Sequence, residues 1–392
     1  VETRTPRVWA LLGHRAGDNA QVMALAEALG WPFEAKHFAY RKHGFVPSLL
    51  ARPSLAGIDR RLSSELTPPW PDLVISSGYR NEPICHWIRQ QCQDKPVRLV
   101  HVGRPWSSLA RFDLVVTTPQ YRLPDLPNVL QNMTPMHRVT RERLDADAVA
   151  WAPRLAHLPR PYIAVVIGGR SGPFAFDHRA AERLAAEASR LARAQGGSLL
   201  VTTSSRTPAA TVDALETHLN APSVLYRWVR GAKDNPYFGF LGLADSIVVT
   251  GDSMSMLSEA CATEKPVYMF DLGEGEGSMR AGARIGVDTR PPSAARGGWR
   301  WPAWVNVQAF LYRLMMRIGP KRLSRDITLV HRYLIEGGHA VWLGDAFPEV
   351  APHAPRCRER AVMRVRELFG EQDAFVPKTA VRRRRRVALP TA

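Results

Sequence analysis

Short runs of consecutive apolar residues recur along the chain, separated by stretches whose apolar positions return every three or four residues. The first block of runs is Val8–Leu12, Leu73–Ile75, Leu99–Val102 and Leu114–Val116. The second is Ile163–Ile167, Ser198–Thr202, Val224–Tyr226, Ile247–Val249 and Val267–Phe270. Between them lie helical patterns at Ala20–Leu29, Pro83–Gln91, Ala180–Ala194 and Ala209–Leu219. Strands that are apolar throughout, alternating with helices, predict parallel sheets covered on both faces. The fold class is therefore α/β, with two doubly wound, Rossmann-like domains. The charged and proline-bearing stretch Arg141–Pro161 reads as the linker. The expected division is 1–150, 151–290 and a C-terminal helical segment with a basic tail, 291–392. Two such domains facing each other place a cleft between the carboxyl ends of their strands.

The turns at those strand ends hold the candidate chemistry. Ser246 to Asp271 reads as strand, polar turn, helix, strand, with the turn Thr250-Gly251-Asp252-Ser253-Met254-Ser255 at the helix start. A helix start offers unpaired N–H groups and a positive dipole end, which suits a diphosphate. Ser253, Met254 and Ser255 are placed there, and Glu259 follows on the side of Ser255, where a carboxylate can accept from a ribose diol. The same pattern also describes an ordinary capped helix. Gly168-Gly169-Arg170 follows another strand and suits a phosphate, or else a plain turn. Ser204 and Arg206, in a hydroxyl-rich strand end, can hold phosphate oxygens or cap the helix after Pro208. Asn235 in Asp234-Asn235-Pro236-Tyr237 suits a base or sugar pocket, or a simple turn. In the first block, Gly13-His14-Arg15-Ala-Gly17-Asp18 follows the first strand. His14 and Asp18 are the candidate general bases; the alternative is a helix cap and an exposed histidine.

Composition narrows the partners. The formal net charge is +17 over 392 residues, which implies an anionic partner. The segment from Lys36 to Arg61 mixes Lys36, Arg41, Lys42, Arg52, Arg60 and Arg61 with Phe38, Phe45, Val46, Leu49 and Leu50, a composition suited to an anionic membrane surface. Arg382–Arg386 reads as a solvated tail, Val305–Ile318 as an amphipathic helix and Gly273–Gly277 as a hinge. No apolar run approaches the roughly 18–20 residues that span a bilayer, and no secretory leader is evident. The four scattered cysteines have the usage of a reducing compartment. The expected location is cytoplasmic, peripheral to the inner membrane. No Walker A, H-E-x-x-H or G-x-S-x-G sequence occurs, and Asp145-Ala-Asp147, in the linker, is formally an acidic pair for a divalent ion.

The Gly13 to Gln21 segment, Pro71 to Gly78, Gly168-Gly169 and Thr250 to Pro266 together resemble the mitochondrial-fission ELM family and its bacterial relatives, over roughly residues 8–275. The second half also resembles the donor domain of GT-B glycosyltransferases. This resemblance implies a GT-B fold. It also implies a nucleoside-diphosphate sugar as substrate, with UDP the expected nucleotide, and neither a metal nor a cofactor. The segment Asp252 to Glu259 would bind diphosphate and ribose, and Asp18 or His14 would be the base. The acceptor would be a hydroxyl on an envelope lipid or glycan; nucleic acid is not an expected partner. A nucleotide-sugar epimerase and a non-catalytic membrane adaptor are the alternative readings.

Overall fold

The computed structural model describes residues 5–42, 52–92, 94–171, 174–274, 278–280, 325–348 and 353–370. The first sheet is built from β1 (Val8–Leu12), β2 (Phe33–His37), β3 (Leu73–Ser77), β4 (Arg98–Val102), β5 (Leu114–Thr117) and β6 (Val129–Gln131). Helices α1 (Ala16–Leu29) and α2 (Glu82–Gln91) flank it. After α3 (Arg141–Leu155) comes the second sheet, begun by β7 (Tyr162–Val166). A two-strand ribbon, β8 (Arg170–Ser171) and β9 (Phe174–Ala175), precedes α4 (His178–Ala194). Then follow β10 (Ser198–Thr202), α5 (Ala209–His218), β11 (Ser223–Tyr226), α6 (Tyr237–Leu243), β12 (Ser246–Thr250), α7 (Met254–Cys261) and β13 (Val267–Phe270). Helix α8 (Thr328–Glu336), β14 (Val341–Trp342) and α9 (Cys357–Glu367) complete the described chain.

Both sheets are parallel, with orders β2-β1-β3-β4-β5-β6 and β11-β10-β7-β12-β13-β14. The two doubly wound domains expected from the apolar runs are therefore present. Strand order reverses between β1 and β3 in the first sheet, and between β7 and β12 in the second. In open α/β sheets such reversal points open the crevice where ligands bind. The central strands β1, β3, β7, β10 and β12 are buried along their whole length, as continuous apolar runs require.

Arg141–Pro161, expected as a linker, is mostly helix and joins the first sheet to the second. Thr140 caps α3 by accepting from the Arg143 N–H at 3.3 Å, and the helix runs to Leu155 with Pro153 inside it. Only Leu144 and Leu155 of α3 are buried, so its apolar signal is weak. It docks through glycines of its partner α6: a Cβ on Gly242 would lie 2.5 Å from the Leu144 carbonyl, and one on Gly239 would lie 2.7 Å from Trp151. The chain passes between the sheets just ahead of α3, and Ser258 of α7 donates to the Pro135 carbonyl there at 2.5 Å. Three edge strands, β2, β6 and β14, escaped the apolar-run reading. β2 is only half-buried, and the other two are three and two residues long.

The C-terminal helix α9 returns to the first domain. Its Ala361, Val362 and Val365 join the α1 core cluster, and Arg366 donates to the Leu29 carbonyl. The expected features at Gly273–Gly277, Val305–Ile318 and Arg382–Arg386 fall wholly or largely outside the described residues. So do Phe45, Val46, Leu49 and Leu50. Phe38, expected on a membrane-facing surface, is instead a core residue at 6% exposure. Lys36 pairs with Glu34 at 2.8 Å and lies over the Trp9 ring. Arg41, Lys42, Arg52, Arg60 and Arg61 remain exposed. All four cysteines are reduced and buried, and no helix among the described residues is long and apolar enough to cross a membrane.

Candidate functional site

The site is assembled at the two reversal points. On the second sheet, the turns after β7 and β12 are locked together. The Gly168 N–H donates to Thr250 Oγ1 at 2.8 Å, and Gly169 N–H donates to Asp252 Oδ2 at 2.9 Å. Thr250 Oγ1 in turn donates to Asp252 Oδ1 at 2.7 Å. Burial pushes the Asp252 carboxyl up, and these hydrogen bonds pull it down. Ser204 Oγ donates to the Gly168 carbonyl at 2.5 Å, and Arg206 lies 3.5 Å from Asp252. Gly168, Gly169, Ser204 and Arg206 thus come together, but the two amides and the serine hydroxyl are already engaged in holding the turns. The Arg170 side chain lies outside the described residues; its backbone opens the β8–β9 ribbon, so this loop is not a plain strand-to-helix turn. A Cβ on Gly169 would overlap the Arg206 carbonyl. Because that neighbour is backbone, Gly169→Ala should destabilise the protein by about 1–3 kcal/mol, measured as a lower midpoint of denaturant unfolding.

The start of α7 follows this lock directly in the chain. Ser253 is its N-cap residue but makes no side-chain cap hydrogen bond. The first-turn N–H groups, from Met254 onward, have no intrahelical acceptors. Met254 is buried at 2% exposure, so it offers its amide rather than its side chain. His331 of α8 supports the turn from beneath, bonded to the Gly251 carbonyl at 2.7 Å. Glu259 sits in the second turn of α7 and accepts from the Tyr237 hydroxyl at 2.5 Å. Burial pushes its carboxyl up to about 7, with Tyr237 and Arg143 acting in the opposite direction. One carboxylate oxygen is thereby engaged. Asn235 spends its side-chain oxygen on the Tyr237 N–H at 3.0 Å and stays exposed.

The first domain meets this turn directly. A Cβ on Gly17 would lie 3.7 Å from Ser255 Oγ, so the starts of α1 and α7 abut across the cleft. Asn19, not Asp18, fastens the loop: its side chain exchanges two 2.8 Å hydrogen bonds with the Gly13 backbone. The Asp18 carboxylate accepts no hydrogen bond among the described residues. It lies against Gly78, a residue with φ +78° that a larger side chain would adopt only with strain. Burial raises the Asp18 carboxyl above its ordinary range, opposed by Arg15, Arg325 and His14. His14 is exposed, packs edge-on against Tyr40 and is lowered by burial and by Arg15 and Arg80. Asp18 lines two adjoining cavities; His14 lines only the smaller.

The larger of the two is a cleft of about 110 Å³ at the carboxyl ends of β3, β4 and β5. Its lining includes Arg15, Tyr79, Arg104, Trp106, Thr117 and Asn132. Apart from Arg15, sequence reading singled out none of these. Their one available signal is position, since Tyr79 and Arg104 each follow a glycine that ends a strand run. Tyr79 and Trp106 stack with ring centroids 4.2 Å apart. Arg325, just before α8, donates to Gln120 of the first domain at 2.6 Å, which ties the returning chain to this cleft.

These features define a two-domain α/β protein with two doubly wound parallel sheets, whose first domain carries a cleft at its strand ends. The profile of the family described as Mitochondrial fission ELM1 matches residues 16–284: the chain belongs to that family. A curated relative, "Mitochondrial fission protein ELM1" of Arabidopsis thaliana, is 31% identical over 221 residues, covering 51% of this chain and 51% of that protein. The chain thus spans about half the length of that relative. Similar solved structures include MurG of Acinetobacter baumannii, at 12% identity and TM-score 0.41, covering 92% of this chain and 99% of that one. A UDP-GlcNAc 2-epimerase from Methanocaldococcus jannaschii matches at 9% identity and TM-score 0.46, over 93% and 100% of the two chains.

Proposed function

We propose that the protein is a metal-independent glycosyltransferase that moves a sugar from a nucleoside-diphosphate donor to a hydroxyl. One observation carries the reading: the starts of α1 and α7, neither with a side-chain cap, abut at Gly17 and Ser255. Two positive helix ends there suit a diphosphate, and donors aimed at a departing diphosphate do the work of a metal ion. Glu259 would hold the ribose through the carboxylate oxygen that Tyr237 leaves available. Asp18 would take the proton from the acceptor hydroxyl, since it lies at the junction of the two cavities with its carboxylate unengaged. UDP is the expected nucleotide, and an envelope lipid or glycan the expected acceptor.

Thermal unfolding with and without UDP tests the donor side, because a ligand bound only by the native state raises the midpoint. A rise with UDP and none with UMP supports the diphosphate seat; no rise with either removes it. Incubation with UDP-sugar alone separates the epimerase, which would isomerise the donor without an acceptor.

A peripheral membrane site is part of the same reading, supported by the +17 balance and the exposed Arg41, Lys42 and Arg52. Binding should require anionic vesicles and fade with salt, as the Debye length falls from about 10 Å at 0.1 M to about 3 Å at 1 M. Neutralising Arg41, Lys42 and Arg52 should reduce co-sedimentation and leave UDP affinity intact. Equal sedimentation with neutral and anionic vesicles would exclude the electrostatic account.

A further inference from the structure

The larger cleft has a chemistry that the donor reading does not use. Arg15 and Arg104 both line it, and Asp18 is the sole carboxylate among its lining residues. Arg104 is half-buried and stacks over the Tyr121 ring. Burial and the neighbouring Arg325 charge make its cationic state less favourable. Two further groups are poised there. Thr117 and Asn132 line the cleft at 2% and 1% exposure. Thr117 Oγ1 and Asn132 Oδ1 have no hydrogen-bond partner among the described residues. The Asn132 amide is oriented by its Nδ2, which donates to the Cys357 carbonyl at 2.9 Å, so the unmatched atom is an acceptor. Buried polar atoms left unmatched are costly, and each calls for a partner. The cleft is therefore lined by two guanidinium groups and presents one unmatched hydroxyl and one unmatched carbonyl acceptor beside the stacked Tyr79–Trp106 pair.

We propose that this cleft seats a hydroxylated phosphate ester: the acceptor carries a phosphate group held by Arg104, Arg15 and Thr117, and a hydroxyl that donates to Asn132 Oδ1. A sugar phosphate and a glycerophospho head group share this chemistry. Phosphate pairs with the guanidinium fork, and the aromatic pair gives the carbon skeleton an apolar wall. The proposal rests on the glycosyltransferase reading for the cleft's role as an acceptor seat, and its test is read separately from that reading.

The test uses the whole protein with saturating UDP, so that phosphate cannot report on the start of α7. Titration calorimetry at fixed ionic strength compares glucose 1-phosphate and glycerol 3-phosphate with glucose and glycerol. The phosphates should bind, and the neutral polyols should not bind over the same concentration range. Arg104→Gln should weaken phosphate binding about 10- to 100-fold. Thr117→Val should weaken it several-fold with an unchanged or higher unfolding midpoint, because the hydroxyl it removes has no protein partner. If Arg104→Gln fails to fold, Thr117→Val decides. Competition by phosphatidylglycerol vesicles, and not by phosphatidylcholine vesicles, identifies a lipid head group as the source; absence of competition identifies a soluble or glycan phosphate. Phosphates that bind no better than the polyols, or binding untouched by Thr117→Val, would overturn the proposal. Phosphate binding that depends on Arg104 and Thr117, in a protein that UDP does not stabilise, would uphold the cleft and remove the donor reading instead.

Discussion

Asp18→Asn should bind UDP as the parent does and lose about 10²–10⁴-fold in turnover, the usual scale for removing a general base. The substitution keeps shape and removes only basicity, and Asp18 holds no part of the loop, because Asn19 makes both hydrogen bonds to Gly13. Stability should therefore change little. His14→Ala provides the contrast. His14 is exposed and faces only the smaller cavity, so its loss should cost far less. The pH profile separates the two further. A base acts when deprotonated, so activity rises with pH through its pKa. Burial places the Asp18 pKa above the ordinary carboxylate range. The His14 pKa is displaced below 6.5. An acid limb that vanishes in Asp18→Asn assigns the base. Near-normal turnover in both variants would make the Gly13 to Gln21 loop purely structural.

The second large effect is expected at Glu259. In Glu259→Ala, buried ribose hydroxyls lose a charged acceptor worth about 1.5–3 kcal/mol, so UDP should bind roughly 10- to 100-fold more weakly. Unchanged affinity in a folded variant would remove the ribose role. The same residue should leave a mark on stability. Its carboxyl titrates near 7 in the native protein against a usual 4.5. Between those values the native state keeps a proton that the unfolded state has released. Stability therefore falls as pH rises through that window, and the loss persists above it. Glu259→Gln cannot ionise, so it should flatten this slope. Relative to the parent, the variant should gain stability at pH 8 compared with pH 4. Denaturant unfolding at the two pH values measures the difference; an identical slope in parent and variant would place the carboxyl at its ordinary pKa.

Much of the fold was legible because buried parallel strands leave a local record. Val8–Leu12 and Ile247–Val249 are apolar at every position, since each is covered on both faces. Helix α3 left almost no record. Arg141 to Leu155 carries charged residues throughout and buries only Leu144 and Leu155, and what secures it is the close approach permitted by Gly239 and Gly242 on another helix. Those glycines lie about a hundred residues away in sequence, so no local pattern couples them to α3.

The candidate site divides in the same way. A polar turn between a buried strand and a helix is a local feature, so the sequence determined that Ser253 to Glu259 and Gly13 to Asp18 stand at strand ends. It also determined the excess of positive charge. Only the tertiary structure decided which of those groups are available. Gly168, Gly169 and Ser204 read as phosphate ligands in isolation, yet folding brings Asp252 and Thr250 across to bond the two amides, while the serine hydroxyl turns to the Gly168 carbonyl. Glu259 is shared with Tyr237 for the same reason. Arg104, Thr117 and Asn132 belong to separate strand ends and become one cleft only when β4, β5 and the chain after β6 lie side by side. Hydrogen bonding is directional and short-ranged. The sequence sets which donors and acceptors exist, and the packing of distant segments decides which are used and which are left for a ligand.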